Sequence, residues 1–165
     1  MIVRRERPAD VRAVDGLHRA AFPTDVEARL LAALREDAGF LPHLSLVAVD
    51  GDVVVGHVVG TRGRIEPGGV PAVGLGPLGV RPDRQGRGVG TVLVHALVAV
   101  AEATGESLVA LLGDPAYYSR VGFVRASQLG VEPPDPAWGA HFQARRLAGS
   151  EVRGTFGYAA PFDRL

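Results

Sequence analysis

The chain has 165 residues, 47% of them hydrophobic and 22% charged, the make-up of one globular domain (1–165) with a substantial core. Eighteen basic and eighteen acidic residues leave no net charge, so no basic surface is set aside for nucleic acid or an anionic membrane. Cysteine and lysine are absent, which excludes a disulfide framework, a thiolate metal site, an acyl-cysteine intermediate, a Walker A loop and a lysine Schiff base.

The N-terminus, Met1-Ile2-Val3-Arg4-Arg5-Glu6, is too charged for a signal peptide. The longest apolar stretch, 92–101, contains His95 and is too short to span a bilayer, so the expected location is cytoplasmic. Residues 2–5 predict a first strand. Pro8 then opens a helix with Val11, Val14, Leu17 and Ala21 on one face. Thr24-Asp25-Val26-Glu27 fits a capping box for a second helix with Val26, Leu30, Leu31 and Leu34 buried, ended by Gly39. Residues 44–49 and 53–61 form a hairpin across Asp50-Gly51-Asp52, and 62–70 is a loop. A strand over 72–80 leads through a glycine turn into a helix reaching about Thr104, with Val89, Leu93, Leu97 and Val100 inward. Residues 107–112 form a buried strand, 116–120 a short helix ended by Gly122, 132–138 a loop and 141–147 a strand. Residues 154–165 are aromatic and glycine-rich without a clear period. This order predicts an α/β (α+β) fold with a mixed sheet and helices against its faces.

The strand–turn–helix at 78–90 is the most informative segment. Gly86, Gly88 and Gly90 strip side chains from the turn, so backbone N–H groups can converge on an anion at the positive end of the helix dipole. Arg84 and Arg87 add charge beside it, and a pyrophosphate is the expected ligand. Glycines in such a turn also serve steric purposes alone. The spacing is not that of the G-x-G-x-x-G dinucleotide fingerprint. In the preceding strand Pro77 lacks an N–H and breaks the ladder, and Gly76 and Gly79 around it predict a bulge.

Gln85-Gly86-Arg87-Gly88-Val89-Gly90, after Val80-Arg81-Pro82, resembles the Q/R-x-x-G-x-G/A signature of the GCN5-related N-acetyltransferase (GNAT) superfamily. Tyr118-Ser119-Arg120-Val121-Gly122-Phe123 resembles that family's Y-x-x-x-G-F element. With Gly113-Asp114-Pro115-Ala116-Tyr117 it is similar to the YhbS-like subgroup of acetyltransferases. The resemblance runs from the first strand to about Leu147 and is strongest between Leu75 and Phe123.

The resemblance implies a central, mostly antiparallel sheet with one splayed parallel pair, and an enzyme that moves the acetyl group of acetyl-CoA directly to an amine. It implies a cofactor site of Leu78, Gly79, Val80, Gln85, Gly86, Arg87, Gly88, Val89, Gly90, Thr91 and Tyr117, with Tyr118 as the acid for the leaving thiolate. No metal is called for: the five histidines lack paired ligand spacing. The acceptor is a small-molecule amine or a protein N-terminus; related enzymes are often homodimers. A non-catalytic acyl-CoA sensor is the alternative. Asp114 stands where the family often has asparagine. Residues 73–80 carry no ionisable side chain, so the base is not evident. Glu27 has its capping role, His57 reads as structural, and Gly105-Glu106-Ser107-Leu108-Val109 lacks the last glycine of a nucleophile elbow.

Overall fold

Apolar alternation builds the first half of the sheet. In the computed structural model, which describes residues 1–147 and 151–164, β1 (Ile2–Arg5) lies antiparallel to β2 (Phe40–Asp50). β2 turns at Gly51 into β3 (Val53–Glu66), and β3 turns through Gly68-Gly69 into β4 (Val70–Val80), all antiparallel. The hairpin strands outrun the predicted ones, and most of the predicted 62–70 loop is strand. The charges in this extension are satisfied within the fold: Arg62 makes a two-pronged contact with Glu106 at 2.7 and 2.8 Å. Ile65 in the same extension is fully buried.

The second half begins with β5 (Leu108–Leu112), parallel to β4 but paired with it only at Val73–Val109 and Gly74–Ala110. β8 (Phe142–Arg146) runs antiparallel to β5, and β6 (Val124–Arg125) pairs with β8. β7 (Val131–Glu132) pairs with β9 (Gly154–Gly157), which lies along the end of β3. The strand order β1-β2-β3-β4-β5-β8-β6 is the expected mixed, mostly antiparallel sheet with β4–β5 as its one parallel pair; off that path the short β7–β9 pair is parallel too.

Helices cover both faces. α3 (Val89–Ala103) buries Val89, Leu93, Val94, Leu97, Val98 and Ala101 against Leu46, Val55, Val58, Val73 and Leu75; Val100 is half-buried. On the other face α1 (Val11–Ala21) and α2 (Val26–Arg35) bury Val14, Leu30, Leu31 and Leu34 against Val47, Val49 and Val59. Val11, expected inward, is exposed. Among the described residues no helix is long and apolar enough to cross a membrane.

Several local expectations are corrected. The capping box does not form: α2 starts at Val26 with Asp25 at its N-cap, Thr24 Oγ1 accepts only from Val26 N–H at 3.5 Å, and Asp25 pairs with Arg19 and Arg29 at 3.5 and 3.3 Å. Gly39 does not end α2. The helix stops at Arg35, and Gly39 donates to Asp37 in the turn beyond. The 132–138 stretch starts in β7 and continues into a tight helical turn at Pro136–His141. Residues 154–164 hold β9 and a turn at Ala160–Arg164, tied down by aromatic contacts; Leu165 lies outside the described residues.

β3 meets α3 at Gly56, where a Cβ would come within 2.7 Å of Val89 Cγ1 and 2.8 Å of Leu93 Cδ1. Both partners are buried and cannot retreat. Gly56→Ala should therefore destabilise the protein by about 1–3 kcal/mol. Its reduced unfolded-state entropy returns only about 0.4–1 kcal/mol. Urea unfolding checks this as a lowered midpoint with an unchanged slope.

Candidate active site

The site begins where β4 loses its neighbours. Leu75 opposes Gly60 and Leu78 opposes Val58, so Gly76-Pro77 forms the expected bulge against Val59. Gly76 has φ +137°, open to glycine and not to an L side chain, and Pro77 has no donor for the ladder. On its other side β4 pairs with β5 no further than Gly74. From Leu75 to Val80 that edge has no strand partner, so its peptide groups, apart from the Val80 carbonyl that Gln85 takes, are open to an extended ligand.

The chain then turns sharply into α3. Arg84 N–H donates to Arg81 O, and Gln85 Nε2 reaches back to Val80 O at 3.1 Å, pinning the turn to the strand end. Gly86 (φ +71°) and Gly88 (φ +81°) take left-handed conformations, and a Cβ on either would meet no atom within 4 Å. These glycines are required by backbone conformation, and they border open space. The first-turn N–H groups of Val89, Gly90 and Thr91 have no helical acceptor and stand at the positive end of the 15-residue α3.

One cleft of ≈ 430 Å³ joins these two features, a size typical of small-molecule sites. Leu78, Gly79 and Val80 line it from the open strand, and Gln85, Gly86, Gly88, Val89, Gly90 and Thr91 from the turn. Tyr117, Arg84, Arg120, Ala21 and Phe22 complete the wall. Arg87 is exposed and does not line the cleft. Arg84 does, but its guanidinium is already engaged by Asp50 at 2.5 Å. The cation beside Tyr117 is Arg120, 5.5 Å from the ring centroid, which sequence reasoning missed. Ala21 and Phe22 were missed as well; only their place after α1 connects them to the site.

The two tyrosines take different positions. α4 (Pro115–Tyr118) is capped by Asp114, whose carboxylate accepts from Ala116 N–H at 2.9 Å. The aspartate thus has a structural task here. Tyr117 sends its hydroxyl toward the start of α3, 2.6 Å from where a Cβ on Gly90 would sit. Tyr118 does not line the cleft. Its half-buried ring lies over Gly113, where any side chain would overlap it, and meets Tyr117 and Phe123 edge-on at 4.9 and 5.9 Å. Gly122 (φ +85°) closes the turn that returns Phe123 onto Tyr118, which accounts for the Tyr-x-x-x-Gly-Phe spacing. Burial, with a smaller contribution from Tyr117, raises the Tyr118 phenol to about 12, so it stays protonated. Among the described residues its hydroxyl has no hydrogen-bond partner. Tyr158, also missed, covers Gly74 at the point where β4 and β5 part, and burial raises its phenol too.

The remaining candidates separate. Glu27 is half-buried with one carboxylate oxygen enclosed and unpartnered. His57 is fully buried in β3, and burial lowers its pKa against the upward pull of Glu6. Ser107 donates to Pro71 O at 2.9 Å and Glu106 pairs with Arg62, so that segment is structural. Among the described residues no three His, Asp or Glu side chains are grouped to hold a metal.

Comparison with known proteins agrees with this geometry. The chain is 37% identical over 169 residues to the uncharacterized N-acetyltransferase YhbS of Escherichia coli K12, covering all of both chains. The crystal structure of E. coli YhbS in complex with CoA superposes with a TM-score of 0.92 at 34% identity, over 99% of this chain and 92% of that one. A GNAT family acetyltransferase from Brucella melitensis in complex with acetyl-CoA gives a TM-score of 0.80 at 31% identity, over 98% and 97%. Residues 11–125 match the acetyltransferase (GNAT) family, and with full-length relatives at this identity the chain belongs to that family of N-acetyltransferases.

Proposed function

We propose that this protein transfers the acetyl group of acetyl-CoA to a primary amine, on a small molecule or a protein N-terminus, directly within a ternary complex. The observation that carries the reading is the single cleft shared by the open edge of β4 and the N-terminus of α3. Its side-chain-free turn and unpaired N–H groups fit a pyrophosphate. The CoA and acetyl-CoA complexes of the two relatives support the same ligand here.

Acetyl-CoA supplies an activated acetyl group as a thioester. The backbone of Gly86 to Thr91 binds the pyrophosphate, helped by the dipole of α3. Leu78, Gly79 and Val80 pair along the pantetheine arm and polarise the thioester carbonyl with fixed peptide dipoles. Tyr117 steadies the cofactor beside Gly90, and Arg120 supplies charge at the same wall. Tyr118, one ring behind the cleft wall and packed edge-on against Tyr117, is the proposed proton donor to the departing thiolate as that sulfur settles past Tyr117; its phenol is protonated.

Tyr118→Phe should lower turnover by roughly 10²-fold while CoA affinity holds, since the lost bond acts in the transition state. Tyr117→Phe should chiefly raise the KM for acetyl-CoA. Thiol release with a primary-amine panel reads both. A non-catalytic acyl-CoA sensor would release no thiol with any amine.

Gly88→Glu places a carboxylate in the proposed pyrophosphate site and forces an L residue to φ +81°. CoA binding by calorimetry should weaken by at least about tenfold, or 1.4 kcal/mol, while the mutant stays folded by circular dichroism.

Turnover should rise with pH as the acceptor amine loses its proton. Because the Tyr118 phenol titrates at about 12, the profile should lack the falling limb that an ordinary phenol of pKa about 10 would give. A rate profile to pH 10 measures this.

A further inference from the structure

Four side chains that the steps above leave unused form one buried hydrogen-bonded chain. Glu6 accepts from Arg35 through Oε1 and from the Ser45 hydroxyl, at 2.5 Å, through Oε2. Ser45 Oγ lies 3.0 Å from His57 Nε2, and His57 Nδ1 lies 2.9 Å from His18 Nε2. His18 Nδ1 ends the series. It is fully buried and has no partner, and it abuts Gly79, where a Cβ would come within 2.9 Å of it. Gly79 lines the cleft, as does Phe22, whose ring lies parallel to His18 at 5.9 Å. At the opposite end Glu6, Ser45 and Arg35 line a separate surface depression with Pro8 and Pro42. The chain thus runs from beneath the cleft to another face of the protein.

The charge on Glu6 fixes the direction of every hydrogen bond. Burial works to raise the Glu6 carboxyl, but the nearby His57, whose Nε2 lies 3.6 Å from Oε2, the Ser45 hydrogen bond and the charge of Arg35 outweigh it and hold it at about 2. An ionised carboxylate only accepts, so Ser45 donates to it. Ser45 Oγ then accepts from His57 Nε2–H, and His57 Nδ1 accepts from His18 Nε2–H. His18 Nδ1 is left as a bare lone pair facing the strand that lines the cleft. Burial first, then His57 and Arg35, keep the His18 ring neutral with a pKa of about 3, against Glu6 and Asp15. Such a ring passes a proton on better than it stores one.

We propose that His18, His57, Ser45 and Glu6 form a proton path that takes the proton released by the acceptor amine and delivers it to the depression at Glu6. The inference rests on the acetyl-transfer reading. As the C–N bond forms and the C–S bond breaks, the amine nitrogen gives one proton to a water in the cleft, and that water hands one on past Gly79 to the buried His18 Nδ1. His18 passes its Nε2 proton to His57 Nδ1, His57 its Nε2 proton to Ser45, and Ser45 its proton to Glu6, which releases it to water. The thiolate takes the Tyr118 proton. The path resets when the hops run backwards: a proton enters at Glu6, and His18 Nδ1 gives one to water in the emptied cleft, from which Tyr118 is restored. One proton leaves and one returns in each cycle.

The test combines nitrogen NMR of ¹⁵N-histidine-labelled protein with turnover. In the wild type His18 and His57 should both carry their proton on Nε2, with Nδ1 bare. Glu6→Gln should reverse the chain: the amide oxygen must face Arg35, which only donates, so its NH₂ faces Ser45. Both imidazoles should then carry the proton on Nδ1. Turnover should fall by roughly 10²-fold, the low end for a positioned base, with the KM for acetyl-CoA unchanged. A wild-type His18 protonated on Nδ1 would overturn the path, and so would wild-type turnover in a tautomer-reversed Glu6→Gln. If Glu6→Gln fails to fold, the wild-type tautomers still decide, and Ser45→Ala gives the kinetic arm, again with reduced turnover and constant KM. The tautomers need no acceptor to be read. Expected tautomers with no thiol release from any amine would count against the acetyl-transfer reading instead.

Discussion

The parting of β4 from β5 is the constraint from which the rest follows. A parallel pair normally continues as far as both strands can exchange hydrogen bonds. Here it stops at Gly74, because Gly76-Pro77 bulges toward β3 and carries one donor too few. The cost is a run of unpaired peptide groups in the middle of a sheet. That run is tolerable only where a ligand or water can reach it, and the cleft provides the access. The same bulge turns Gly79 toward α1, so the first helix of the chain packs directly on the strand that lines the site.

The glycine turn and the tyrosine turn meet this opening from two sides. α3 is anchored by a thick apolar face, so its N-terminal N–H groups are held rigidly at the mouth of the gap. The Tyr118–Phe123 turn sits at the end of β5 and needs Gly113 and Gly122, one for space and one for backbone conformation. Each piece is small and local, and the sheet brings the pieces together.

That locality decides what could be read from the sequence. Pro77 with its flanking glycines, the 86–90 turn and the 118–123 element each announce a conformation within a few residues, so the strand–turn–helix and most of the cleft lining were legible. Arg87 looked equivalent to its neighbours, but which face of a turn an arginine takes depends on the tertiary surroundings. Asp50, 34 residues away, claims Arg84, and the turn after β5 brings in Arg120. Tyr158 was hidden in an aperiodic aromatic segment whose place over Gly74 no local pattern announces. The His18–His57 contact spans 39 residues and joins a helix to a strand, so no spacing rule could suggest it. The capping box failed by one residue: Thr24 had the right chemistry, but the N-cap position falls on Asp25.

The engagement of Arg84 also bears on how the turn would hold the proposed anion. Of the two cleft-lining guanidiniums, Arg84 already faces Asp50 and Asp83, and Arg120 lies over an aromatic ring. Arg87 in the turn and Arg120 on the wall form no ion pair among the described residues, so on the proposed reading an anion there would meet both fixed amides and two uncompensated cations. Dissolved salt weakens attraction between exposed, separated charges over a Debye length of about 8 Å at physiological ionic strength. It acts much less on groups in direct contact. For a ligand held as proposed, added electrolyte would therefore erode the share contributed by the exposed Arg87 more than the share contributed by amides in direct contact.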